Sequence, residues 1–188
     1  MSEALDELFL DGEDRMEKAI SQLKKEFASI RTGRANPLIL DKVSVEYYGV
    51  PTPLRQISQV SVQEGTTLVI APYDKTIIKD IEKALAKADL GITPNSDGIV
   101  IRLQFPPLTE DKRKEITKDV KKVCEDTKVA IRNVRRDMTD DIKKLEKSEN
   151  LPEDLVKDKQ NEVQKLTDKY IGIAEALEGE KEKEVLTV

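Results

Sequence analysis

Apolar residues recur along this chain with two different periods. Met16, Ile20, Leu23, Phe27 and Ile30 follow at +4, +3, +4 and +3, a heptad stripe that predicts a helix. Leu5 and Leu8 extend it backward through Gly12, which predicts one helix with a weak point at the glycine. A second stripe follows Pro106-Pro107: Ile116, Val120, Val123, Thr127, Ile131 or Ala130, Val134, Met138, Ile142 and Leu145. Thr109 stands at its N-cap, and Glu110 and Asp111 fall in the first turn, where the helix dipole favours acids. At ~1.5 Å per residue this helix is roughly 55–60 Å long. Ser148-Glu149-Asn150-Leu151-Pro152 reads as a turn, and Pro152 suits the first turn of the helix after it. That helix carries Val156, Val163, Leu166, Tyr170, Ile173 and Leu177, ahead of a charged tail from Gly179. Each stripe is narrow and must be covered by the other two. The three predict an elongated three-helix bundle.

Residues 32–105 have another rhythm. VSVEYY (43–48), ISQVSV (57–62), TTLVIA (66–71) and IVIRLQF (99–105) are β-branched or alternating runs separated by Gly, Pro and Asn turns. Between the third and fourth lies a helix with Asp74 as N-cap, Ile77, Ile78, Ile81 and Leu85 on one face, and Gly91 as its stop. The pattern predicts a small β/α/β domain inserted into the first helix-to-helix connection, leaving residues 1–31 and 106–188 to the bundle. The fold class is two-domain, mainly α with an α+β insert. Its covalent links are Arg31-Thr32-Gly33-Arg34 and Phe105-Pro106-Pro107. They predict a hinge at Thr32, Gly33, Phe105, Pro106 and Pro107, with the paired prolines limiting the directions of swing.

Composition narrows the chemistry. The 188 residues include 32 Lys and Arg, 37 Asp and Glu, one Cys, no His and no Trp. A charged share of 37% beside an apolar share of 38% suits long solvated helices better than a deep core. Without histidine, no imidazole base, ligand or pH switch is available. One cysteine excludes an intrachain disulfide or thiolate cluster and fits a reducing cytosol. No run approaches the ~20 apolar residues of a membrane span. The acidic start MSEALDELFLDGED resembles neither a signal peptide nor a transit peptide. A cytoplasmic protein without metal or cofactor is expected. It is not expected to be an enzyme: P-loop, GxGxxG and nucleophile-elbow patterns are absent from the sequence, and Asp140-Asp141 fall on a polar helix face. Cys124, beside the core stripe, is expected to pack inertly.

Net charge is −5, yet residues 127–136 hold four cations (Lys128, Arg132, Arg135, Arg136) and no acid. With Ile131 and Val134 in the core, Arg132, Arg135 and Arg136 project outward, and Lys128 extends the ridge. Such a ridge can grip nucleic-acid phosphates through planar guanidinium forks, or can simply solvate a bundle face while pairing with Asp137, Asp140 or Asp141. Arg31 and Arg34 flank Gly33; they could bind phosphate or cap the first helix's C-terminus. Of Tyr47-Tyr48, alternation sends one ring inward and one outward, so base stacking is not favoured.

The residues also carry a resemblance. IRTGRANP (30–37), VEYYGVPTPLRQ (45–56), ADLGITPNSDG (88–98), FPPLTEDKRKE (105–115), AIRNVRRDM (130–138) and VQKLTD (163–168) resemble the ribosome recycling factor family, in order, over about residues 15 to 178. The resemblance implies an L-shaped protein with a three-helix bundle and a β/α/β domain at its corner. It implies a monomer that resembles transfer RNA in outline and acts after peptide release. Its partners would be the large ribosomal subunit, through ribosomal RNA across the A and P sites, and elongation factor G, with which it splits the ribosome at the expense of GTP. No membrane is involved. Matched to the family's motifs, the RNA-binding positions are Arg132, Arg135 and neighbouring Arg136 in IRNVRRD, and Arg31 and Arg34 in IRTGRA. No role is carried onto the acidic first segment or the GEKEKEVLTV tail. A reading from a different class is a coiled-coil adaptor that binds a partner helix without RNA contact.

Overall fold

The computed structural model describes residues 2–186; Met1, Thr187 and Val188, which the sequence pattern assigns to the bundle, lie outside the described residues. In chain order the elements are α1 (Glu3–Ser29), β1 (Ser44–Tyr47), β2 (Val50–Pro53), α2 (Leu54–Ile57), β3 (Ser58–Gln63), β4 (Thr67–Pro72), α3 (Ile78–Lys87), β5 (Asn95–Ser96), β6 (Ile101–Gln104), α4 (Glu110–Ser148) and α5 (Glu153–Leu186), with 3-10 turns over Pro37–Lys42 and Lys75–Ile77. The chain divides into two compact units. One takes the residues up to Phe27 together with Thr117–Lys183, and the other takes Ala28–Ile116 and the chain from Glu184.

The first unit is made by α1, α4 and α5. Leu5, Gly12, Met16, Ile20, Leu23 and Phe27 are buried on α1, and Val120, Cys124, Thr127, Ile131, Val134, Met138 and Ile142 on α4. Contacts set the directions. Ser2 bonds Glu149 and Arg15 pairs with Asp137, so α1 and α4 are antiparallel. Lys128 pairs with Glu175 and Arg135 bonds Gln164, so α4 and α5 are antiparallel too. The Tyr170 hydroxyl meets the carboxylates of Glu17 at 3.1 Å and Glu13 at 3.3 Å, closing the α1–α5 seam. Burial, with those carboxylates beside it, pushes that phenol up to about 12.

Two expectations for this unit are corrected. Gly12 is no weak point: α1 runs through it unbroken, and a β-carbon there would fall within 3.0 Å of three Met138 side-chain atoms. The glycine lets α1 and α4 approach. The chain from Gly179 is also not a tail, because α5 continues to Leu186 with Lys181 and Val185 buried. The core spacing continues from Ala174 by +7 to Lys181, while Val185, four residues further on, belongs to the second unit. On α5, Thr167 and Ala174 are fully buried where Leu166, Ile173 and Leu177 are only half-buried. Small residues suit the closest approach. The hydroxyls of Thr167 and Thr127 donate to the carbonyls of Val163 (2.8 Å) and Val123 (3.2 Å), so neither burial leaves a polar group unmet. The Thr109 hydroxyl accepts from the Lys112 N–H as expected, whereas Pro152 precedes α5 and offers its carbonyl to Val156.

The second unit holds an antiparallel sheet of order β3-β4-β6-β5 and a separate β1-β2 hairpin. Its core gathers Leu68 and Ile70 from β4, Ile101 and Leu103 from β6, and Ile78, Ile81 and Leu85 from α3. The hairpin turns at Tyr48-Gly49, both at positive φ (50° and 77°), the geometry that matches strand twist. Tyr47 packs against the core edge while Tyr48 is 85% exposed, so the two rings divide as alternation requires. Strand β2, Val-Pro-Thr-Pro, lies outside the sequence pattern because proline in a strand reads as loop, and β5, Asn-Ser, because two polar residues carry no alternation. Asp74 accepts from the Thr76 N–H and hydroxyl, capping the 3-10 turn that leads into α3, and those bonds lower its pKa. Asp97 accepts from the N–H groups of Ile99 and Val100 and pairs with Arg102, each at 2.9 Å, closing the β5-β6 turn.

Gly12→Ala should gain about 1 kcal/mol in helix propensity but lose about 1–3 kcal/mol to overpacking, a net loss in urea denaturation. Adding Met138→Val should show a favourable coupling of about 1 kcal/mol in a double-mutant cycle; strict additivity would refute the close approach. The bonds from Val100, Ile99 and Arg102 hold the Asp97 carboxyl at about 2, below its ordinary 3.8. The ionised group therefore stabilises the unit above pH 3.8, and that contribution is lost as pH falls through 2. Asp97→Asn should lower Tm at neutral pH, and its gap from the unsubstituted protein should close across that window.

Candidate functional site

At about 100° per residue, positions seven apart on α4 nearly superimpose and positions four apart advance by about 40°, so the four cations fan over about 100° of the helix surface. Lys128 and Arg135, seven apart, face α5. Arg132 and Arg136, one turn apart, lie further outward. Their neighbours differ. Lys128 is turned into the α4–α5 seam with its side chain 16% exposed and its Nζ 3.1 Å from Glu175, and that bond raises its pKa despite the cost of desolvation. Lys128 therefore does not extend an open ridge. Arg132 pairs with Glu125, two turns earlier on α4, at 3.1 Å. Among the described residues, Arg135 and Arg136 make no ion pair. Asp137 is engaged by Arg15 instead, and Asp141 by Lys144.

Arg135 is held by a neutral group. Its guanidinium donates a long bond of 3.5 Å to Gln164 Oε1, and the same amide donates to Asp168 at 2.8 Å. The arginine is oriented without its charge being cancelled. Arg135 and Arg136 form part of a groove of about 550 Å³ along the α4–α5 seam, opposite Gln160, Asn161 and Gln164. Sequence reasoning missed these amides. Val163 and Thr167 in the core put 160 and 164 on the flank beside α4, which is the signal that could have found them.

Arg31 and Arg34 lie in the second unit. The Arg31 guanidinium donates to the Pro106 carbonyl at 3.3 Å, and its Nε is buried without a hydrogen-bond partner. Arg34 is exposed. Neither caps α1: the Asn36 amide does so, donating to the Ala28 carbonyl at 3.0 Å. Of the expected hinge, Thr32, Gly33 and Phe105 are buried, and Pro106 and Pro107 are exposed. Phe105 is an anchor, not a pivot. It joins the core, and its N–H donates to Thr66 at 2.8 Å, prolonging the β4-β6 ladder. Among the described residues no group of three His, Cys, Asp or Glu is placed to hold a metal, and no helix is long and apolar enough to cross a membrane.

A helical unit with unpaired arginines and an inserted β-rich unit define a class, and comparison places the chain within it. The family model for ribosome recycling factor matches residues 23–186. The ribosome-recycling factor of Bacillus velezensis is 54% identical over 182 residues, 97% of this chain and 98% of that protein. That of Thermosynechococcus vestitus is 54% identical over 178 residues, covering 95% and 98%. A solution structure of ribosome recycling factor aligns over 100% of both chains at 38% identity with a TM-score of 0.83. A second structure, of the T. thermophilus ribosome recycling factor and the E. coli elongation factor G bound to the E. coli post-termination complex, covers 97% of this chain and 98% of its own at 42% identity and a TM-score of 0.67. This chain belongs to the ribosome recycling factor family.

The one thiol stands apart from this surface. Cys124 is fully buried with its Sγ 3.6 Å from the Ala174 carbonyl, and burial, with the Glu178 carboxylate beside it, pushes the thiol up to about 12. The thiolate is the nucleophile, so Cys124 should stay unmodified by a chromogenic disulfide reagent at pH 8 until denaturant is added. Rapid labelling of the folded protein would show that the seam opens.

Proposed function

We propose that this chain acts in ribosome recycling: with elongation factor G and GTP, it separates post-termination ribosomes into subunits. The reading rests on one observation above the others, the family match over residues 23–186 joined to a relative whose structure is described on the post-termination complex with elongation factor G. The arginines supply the physical means. Arg132, Arg135 and Arg136 on a rigid helix, helped by Arg31 and Arg34, bind large-subunit ribosomal RNA, and Lys128 braces the seam behind them. The helical unit, residues up to Phe27 with Thr117–Lys183, acts as the main RNA-gripping part and the unit of Ala28–Ile116 as the part offered to elongation factor G, so the division falls outside the expected 31/32 and 105/106. Of the expected hinge positions, the exposed Pro106-Pro107 link is the one free to move, since Thr32, Gly33 and Phe105 are buried. The protein works as a cytoplasmic monomer without catalysis of its own, and GTP hydrolysis by its partner supplies the energy. The adaptor reading is not favoured, because seven of the eight side chains lining the α4–α5 groove are polar or charged and Val163 is its single apolar one.

Light scattering of purified post-termination ribosomes, mixed with this protein, elongation factor G and GTP, tests the proposal. Splitting should require all three, and splitting that is unchanged when this protein is left out would overturn it. Arg135→Ala and Arg136→Ala should each lower large-subunit affinity by about one to two decades, since a charge-assisted contact is worth roughly 1.5–3 kcal/mol. Arg132→Ala should cost less, because Glu125 already offsets part of its charge. Thermal melts should move little for any of the three. Normal binding by all three variants across several salt concentrations would mean that the arginines only solvate the helix.

A further inference from the structure

The sheet of the second unit has two outer strands, β3 and β5, and they are finished differently. Strand β5 is two residues long, and β2 of the separate hairpin carries Pro51 and Pro53; short strands and prolines both keep an edge from being joined. Strand β3 has neither safeguard. Ser58–Gln63 is six residues of Ser, Gln and Val, without charge or proline. Its register on β4 pairs Ser58 with Pro72, and the Tyr73 N–H donates to the Ile57 carbonyl at 3.1 Å. Bonding alternates along an antiparallel ladder, so the odd-numbered residues bond toward β4 while Ser58, Val60 and Val62 turn their N–H and carbonyl groups outward. Among the described residues no strand meets that edge, which is a template for one more strand. The sequence narrows the choice of strand. Gln59-Val60-Ser61-Val62-Gln63 reads the same in both directions, so in an antiparallel pair centred on Ser61 it meets itself. Val60 then faces Val62, Gln59 faces Gln63, and Glu64 falls opposite Ser58, so no like charges meet. A foreign strand would use the same backbone bonds but would not call for a symmetric sequence.

We propose that β3 is a docking edge for a second copy of this chain, joined as an antiparallel β3–β3 pair about a two-fold axis at Ser61. The Val60 and Val62 backbones of the two copies would exchange about four hydrogen bonds, and the two four-stranded sheets would run on as one. Gln59, Ser61 and Gln63 are exposed on the open face, free to meet their counterparts. On the core face, Val62 is 45% exposed and gains cover from the partner's Val60. Five residue pairs make a small interface, so the pair is weak, with a dissociation constant of about 0.1–1 mM. It belongs to the concentrated free protein, and the monomer remains the acting form of the proposed recycling function.

Single cysteines placed on β3 of the full-length protein read the register, since buried Cys124 does not compete while the protein is folded. Ser61→Cys alone should form a disulfide-linked dimer in mild oxidant, because its two Cα atoms would lie about 4.5 Å apart across the axis. Gln59→Cys alone should not, since the two copies of that position would lie about 13 Å apart. An equal mixture of Gln59→Cys and Gln63→Cys should crosslink. Failure at position 61, or crosslinking of Gln59→Cys alone as fast as Ser61→Cys, would overturn the proposal. Sedimentation equilibrium of the unsubstituted protein should show dimer growing in between about 0.1 and 1 mM, and monomer throughout that range would overturn it too. Ser61→Lys sets like charges face to face and should abolish the dimer, and mixing it with Ser61→Glu should restore it. Position 61 is exposed, and equal thermal melts would exclude misfolding. A dimer that persists in Ser61→Lys uses another surface, and the β3 pairing falls.

Discussion

Mutual burial of three narrow apolar stripes is the constraint on which the first unit depends. Met16, Leu23, Ile131 and Ile142 are fully enclosed, and each such side chain stabilises the fold by roughly 1.5–3 kcal/mol. No stripe is wide enough to be covered by a single neighbour, so each helix needs both others. Close approach is set by small residues, Gly12 against Met138 and Ala174 against Cys124. The polar links across the seams, Arg15–Asp137 among them, are partly exposed and worth about 0–1 kcal/mol each. They set register and direction more than stability.

Burial of the stripes then decides which charges remain available. In a chain with 37 acids, a run of ten residues without one invites the inference that its cations are unpaired. Helix packing changes that, since Glu175 comes from α5 and Glu125 from two turns earlier on α4. Two of the four cations are partnered. The two that keep their charge uncancelled flank the groove, and one of them is oriented by an amide. A carboxylate in place of Gln164 would hold Arg135 as firmly but would compete with any phosphate.

Period-3.6 stripes made the three long helices legible, and alternating runs made four of the six strands so. The misses share a cause. Thr167, Ala174 and Gly12 look unfit for a core by hydrophobicity, yet where helix axes come close a small side chain fits and a large one does not. The charged composition of residues 179–186 hid Lys181 and Val185, which the heptad spacing alone would have placed inside. Proline hid β2. For the site, the arginines were visible because residues 127–136 hold four cations and no acid in a helix otherwise rich in both signs, whereas Gln160, Asn161 and Gln164 are ordinary surface residues until α4 is packed beside them.

With no nucleotide-binding motif of its own, such a protein can change a ribosome only through differential binding: it shifts an equilibrium by the difference between its affinities for the two states. Tight RNA contact that is equal in joined and separated subunits would accomplish nothing. Contacts from a helix held by packing favour a difference, because its backbone cannot follow a surface that moves. A roughly 1 Å displacement of phosphate from guanidinium loses most of a directional bond. Under the proposed function, the buried stripes, by immobilising α4, would turn ordinary salt-sensitive attraction into sensitivity to the geometry of the RNA surface.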